Sequence, residues 1–125
     1  MVTRKDIESE VNGYLFALGE NGFPWDKAYL FGSYVKGDSN EYSDIDLAVW
    51  SEIFDEDYFK IIEKTAFLRR IFKNIELHPF ILKDTRDNNP FIGEIEDTGI
   101  LIKPDYLFDF TQIDLLREKQ NALSQ

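Results

Sequence analysis

The chain has no cysteine among its 125 residues, which excludes a disulfide framework and any thiolate metal site. It also has no apolar run approaching the ~18 residues of a membrane span. The opening residues Met1-Val2-Thr3-Arg4-Lys5 lead into an acidic helical segment and not into the apolar stretch of a secretory signal, so a cytoplasmic protein with no membrane partner is expected. Basic residues are in deficit, 14 against 24 acidic, for a net charge of −10. Such a surface repels a polyanion, and no extended basic stripe offsets it. Long DNA or RNA is therefore not an expected partner, whereas a small nucleotide carrying its own cation meets far less repulsion. Only Arg69, Arg70 and Lys73 gather, at one helix end, where the helix dipole alone accounts for them. There is no internal repeat and no low-complexity tract.

What the chain does have is apolar and aromatic. Hydrophobic residues make up 43%, with 11 Phe and 6 Tyr, enough for a well-packed core in one domain spanning residues 1–125. Apolar spacing predicts a helix over Thr3 to Leu18, with Ile7, Val11, Tyr14, Leu15 and Leu18 on one face, Thr3 as its cap and Gly19 as its stop. Strands are expected at Ala28 to Phe31, Ile45 to Trp50, Ile75 to Leu82 and Ile100 to Ile102. Between them fall a short turn of helix (Tyr34 to Lys36) and an acidic loop (Glu52 to Asp57). A long helix (Tyr58 to Phe72) presents Phe59, Ile62, Ala66, Leu68 and Phe72 as its apolar positions, and a short helix runs from Phe91 to Thr98. The second half of 104–123 also reads as helical. Strands alternating with helices predict a mixed α/β (α+β) sheet with helices packed on it.

The chemistry concentrates in residues 32–46. An apolar strand runs into Gly32-Ser33, a polar loop follows, and Asp44-Ile45-Asp46 opens the next apolar strand. Alternation turns Asp44 and Asp46 to one face and Ile45 to the core. Two carboxylates about 7 Å apart on one strand face suit a hard cation such as Mg²⁺. Gly32 permits close backbone approach to a ligand, and the N–H groups of such a strand-to-helix turn suit phosphate. Gly32 and Ser33 can also be read as an ordinary turn and helix cap, and Asp44 as the end of a loop. That reading does not explain Asp46, which interrupts a run that otherwise reads as buried.

Gly-Ser, about ten residues, then Asp-x-Asp resembles the signature of the nucleotidyltransferase (polymerase beta-like) superfamily. The short chain looks most like its minimal nucleotidyltransferases, many of them antitoxin partners of HEPN-domain proteins; the likeness covers roughly residues 26 to 102. It implies a nucleotidyltransferase fold, a small mixed central sheet with flanking helices and the metal site at the start of the second strand. It further implies a two-metal Mg²⁺ site on Asp44 and Asp46, ATP as donor, and Gly32 and Ser33 against the triphosphate. A third carboxylate is implied on the third strand, where Glu76 stands, to complete the metal clamp or act as base. Lys36 lies where relatives often have arginine, and reads either as a phosphate contact or as a solvated loop lysine. Tyr34 stands where some relatives carry arginine. Tyr42 and Ser43 read as nucleotide contacts or simply as loop. His78, the lone histidine, shares the Glu76 face and reads as a structural hydrogen-bonder or as a base.

The expected activity is transfer of a nucleoside monophosphate, AMP from ATP, to a hydroxyl of a partner protein, a HEPN-type toxin. Self-association is left open. Two rivals remain: a non-catalytic module that occludes its toxin, and an antibiotic-type transferase acting on a small hydroxylated substrate.

Overall fold

The computed structural model describes residues 3–40 and 43–111. Helix α1 (Arg4–Glu20) starts at Thr3, whose hydroxyl accepts from the Asp6 N–H while the Asp6 carboxylate accepts from the Thr3 N–H. This reciprocal capping box satisfies two donors that a helix start otherwise leaves to water. The buried face is the expected one, Ile7, Val11, Tyr14, Leu15 and Leu18. The helix runs through Gly19 and is capped by Asn21. Gly19 faces open space and adopts no left-handed conformation, so it carries no stop signal.

Strand β1 (Lys27–Phe31) leads through Gly32 into a single turn of helix, α2 (Ser33–Lys36), closed by left-handed Gly37. Strand β2 (Ile45–Trp50) follows, then a 3-10 turn (Glu52–Phe54) and α3 (Tyr58–Ile71). Strand β3 (Ile75–Phe80), α4 (Pro90–Thr98) and β4 (Ile100–Ile102) complete the described elements. The expected helix in the second half of 104–123 falls almost entirely outside the described residues.

The strands form one mixed sheet in the order β3-β2-β1-β4. β1 pairs antiparallel with β2 and β4, while β2 and β3 run parallel with α3 as their connection. Alternation along β2 divides the core. Ile45, Leu47 and Val49 join the larger cluster under α1 and α3, whereas Ala48 and Trp50 join Phe31, Ile92 and Ile95 under α4. Asp46 belongs to the α4 face.

The apolar face of α3 differs from the expected one. Ile61, Thr65 and Leu68 are buried, while Phe59 is 78% exposed. Thr65 is tolerated in the core because its hydroxyl donates to the Ile61 carbonyl at 2.7 Å, leaving no unsatisfied donor. Phe72, just past the helix, stands edge-on to Tyr14 at 5.6 Å between centroids. The chain after β4 is tied back to α1, where the Asn12 side chain accepts from the Phe108 N–H at 2.8 Å and donates to the Phe108 carbonyl at 3.0 Å.

Candidate functional site

β2 is buried at five of its six positions, and Asp46 is the sixth. Its side chain, 24% exposed, stands where the ends of β1, β2 and β3 meet. In the register Phe31 lies across from Asp46 on one side and Glu76 on the other, so Asp46 and Glu76 are lateral neighbours on the same face. One pleat further along β3 comes His78, whose Nε2 lies 3.2 Å from Asp46 Oδ1. Donor atoms of Asp46, Glu76 and His78 all fall within 4.8 Å of one another. Asp44 is not among them. It is exposed, one residue before β2 begins, and reaches the group through its charge.

The Gly32 backbone explains why glycine stands at the end of β1. Its φ of 85° and ψ of −151° lie where side chains are rarely tolerated. A Cβ there would sit 2.4 Å from Asp46 Oδ2. The Asp46 carboxylate thus packs directly on the turn between β1 and α2, joining the Gly-Ser turn and the aspartate in one site.

The loop between α2 and β2 is held by two side chains. The Tyr34 hydroxyl, on a buried ring, donates to the Ser43 carbonyl at 3.2 Å with the Asn40 carbonyl at 3.4 Å. The Ser43 hydroxyl accepts from the Asn40 N–H at 2.9 Å. Tyr34 therefore anchors the residues on either side of the loop that delivers Asp44. Ser33 opens α2, and its carbonyl accepts from the Gly37 N–H at 2.9 Å. Lys36 points toward α4, with Nζ 4.0 Å from Glu94 Oε1, and half of its side chain remains exposed. Tyr42 lies outside the described residues.

Electrostatically the group is crowded with negative charge. The Glu76 carboxyl binds its proton more tightly than an ordinary glutamate, first because it is partly removed from water and next because it hydrogen-bonds to Asp46. The His78 imidazole opposes that shift, while the charges of Asp46 and Asp44 add to it. Carboxylates this close repel until a proton or a cation comes between them, so the donor set fits a divalent metal ion. Beside β3 lies a cavity of about 580 Å³ whose lining includes Asp44 and Glu76 as well as Arg69, Arg70 and Lys73. Those three cations, at or just past the end of α3, line a space shared with two of the carboxylates.

His78 is the contact that sequence reasoning left unassigned. A strand histidine two residues from Glu76 signals a shared face, but its pairing with Asp46 depends on the parallel register, which adjacent sequence does not encode.

Fold and site together define a nucleotidyltransferase domain. The family of polymerase beta and nucleotidyltransferase domains matches residues 20–105, well over half of the chain, and the protein belongs to that family. Among solved structures, a Sulfolobus solfataricus protein assigned by name to the nucleotidyltransferases superposes with a TM-score of 0.61 at 16% identity, over 84% of this chain and 87% of that one. A toxin–antitoxin structure with AMP-PNP superposes at 0.51 and 20% identity, covering 94% of this chain and 86% of that one. A mutant of the toxin–antitoxin MntA–HpeT gives 0.51 at 21% identity, with 90% and 89% covered. These likenesses show that the fold is shared. Among curated proteins, none matches the sequence.

Proposed function

We propose that residues 1–125 are a single minimal nucleotidyltransferase domain that moves AMP from ATP onto a hydroxyl of a partner protein. The partner is a HEPN-type toxin, and both act in the cytoplasm. The carrying observation is the packing of Asp46 Oδ2 on the Gly32 turn with Glu76 alongside, which draws a phosphate-binding turn and metal-binding carboxylates into one site. The neighbouring structures, one a toxin–antitoxin with AMP-PNP, support an adenine nucleotide and a toxin partner.

In this reading Asp44 and Asp46, with Glu76 where it completes the clamp, would hold Mg²⁺, which would neutralise charge on the triphosphate and the departing pyrophosphate. Gly32 and Ser33 receive the triphosphate on backbone N–H groups, with Lys36 and Ser43 at its edge. Where Glu76 is not itself a metal ligand, it takes the proton of the acceptor hydroxyl. As it does so, the acceptor oxygen bonds the α-phosphorus and the bond to pyrophosphate breaks. The cavity rimmed by Arg69, Arg70 and Lys73 supplies room beside the carboxylates for the acceptor segment. No helix among the described residues is long and apolar enough to cross a membrane.

Incubation with ATP labelled at the α-phosphate and the protein encoded beside this one tests the proposal. Label should pass to the partner, and Asp46→Asn should reduce the rate by at least about 100-fold, as expected for loss of a metal ligand. A partner neutralised without any label would overturn transfer in favour of occlusion.

A further inference from the structure

His78 is the only histidine in a chain that has no cysteine, and the fold places it beside the carboxylates. Two donors each about 2.0–2.1 Å from one ion at tetrahedral angles stand roughly 3.3 Å apart. The Nε2 of His78 and Oδ1 of Asp46, 3.2 Å apart, already have the separation of two ligands on a single metal. Glu76 is exposed and one methylene longer than aspartate, so its carboxylate has freedom to close the third distance. The imidazole is held edge-on by Phe31, 5.0 Å between centroids, with Phe91 at 6.0 Å. These rings limit the orientations it can adopt, and Nε2 remains directed at Asp46.

We propose that Asp46, Glu76 and His78 form a mixed nitrogen–oxygen site that selects a transition-metal ion, Zn²⁺ ahead of Mn²⁺, over Mg²⁺. Oxygen-only ligand sets suit Mg²⁺, whereas an imidazole nitrogen suits zinc, and for a given N/O site zinc binds more tightly than manganese. Zinc held there occupies Asp46 and Glu76, which magnesium would otherwise use, so zinc inhibits transfer. The inference rests on the proposed transferase reading only for that last consequence; the site itself stands on its donor geometry.

The test uses the full chain without nucleotide. Calorimetric titrations with Zn²⁺ and with Mg²⁺ compare wild type, His78→Ala and His78→Gln, with thermal melting to confirm that each variant is folded. Zinc affinity should fall by about 10- to 100-fold in both variants, the usual cost of losing a ligand or its support, while magnesium affinity changes less than about threefold. Pulsed EPR of the Mn²⁺-loaded wild type supplies a readout that needs no variant. With one histidine in the chain, imidazole nitrogen coupling can come only from His78. Unchanged zinc affinity, or manganese spectra without nitrogen coupling, would overturn the site and reduce His78 to a residue that orients Asp46. Nitrogen coupling in a protein that transfers nothing would instead sink the transferase reading and leave the site standing.

Discussion

Glu76 holds its proton to higher pH in the folded chain than in the unfolded one, through partial loss of water, its hydrogen bond to Asp46 and the nearby acidic charges. The sign of the consequence follows from linkage. Its contribution to stability is complete below the ordinary glutamate value of 4.5 and is lost as pH rises through the higher folded value. Above that point the ionised carboxylate opposes the fold. Metal-free Glu76→Gln should therefore melt higher than wild type at pH 7, with the two curves converging toward pH 4. Calorimetric melting from pH 4 to 8 checks this, and parallel curves across the range would show that the crowding is not felt. At this scale the sequence pointed to Asp46 and Glu76, which the fold makes lateral neighbours. It was silent on His78 beside Asp46, because that contact is made by two strands whose relative register depends on the whole sheet.

Among the elements, the turn from β1 to α2 constrains the site most tightly. Gly32 combines a backbone conformation that side chains avoid with a carboxylate where its Cβ would be. Gly32→Ala should cost about 1–3 kcal/mol from backbone strain and also displace Asp46. Denaturant unfolding reads the first effect and metal titration the second. A variant with unchanged stability and metal affinity would mean that the turn can relax without cost. Element boundaries were legible where apolar alternation was strong: β2 and β4 span the expected residues. The long helix was placed correctly but its inward face was not. Apolar residues lie on several sides of α3, and packing buried Thr65 in place of Phe59 because the hydroxyl finds a carbonyl within its own helix. Gly19 was a false stop for a similar reason, since an exposed glycine in open space neither ends nor supports a helix.

For the whole molecule, the four-stranded sheet explains how so small a chain assembles a site. Gly32 and Asp46 come from the antiparallel β1–β2 pair, adjacent in sequence, while Glu76 and His78 arrive on β3 across the α3 connection. Excess acidity at −10 fits a protein that approaches polyanions poorly, and Arg69, Arg70 and Lys73 at the cavity concentrate positive charge beside the carboxylates.

The parallel pairing of β2 with β3 leads us to expect an order of events in time. The β1–β2 connection spans residues 32–44 and the β2–β3 crossover residues 51–74, so the crossover closes the longer loop before its contacts are rewarded. The carboxylate pair would then come together on the native side of the folding barrier. A divalent cation that stabilises the pair should act as a latch, slowing escape from the native state and leaving the approach to it unchanged. Stopped-flow unfolding in denaturant should slow when Mg²⁺ or Mn²⁺ is added, with the refolding rate constant. Faster refolding at an unchanged unfolding rate would place β3 within the nucleus. With the latch set, the lifetime of the folded chain would follow the concentration of free cation around it.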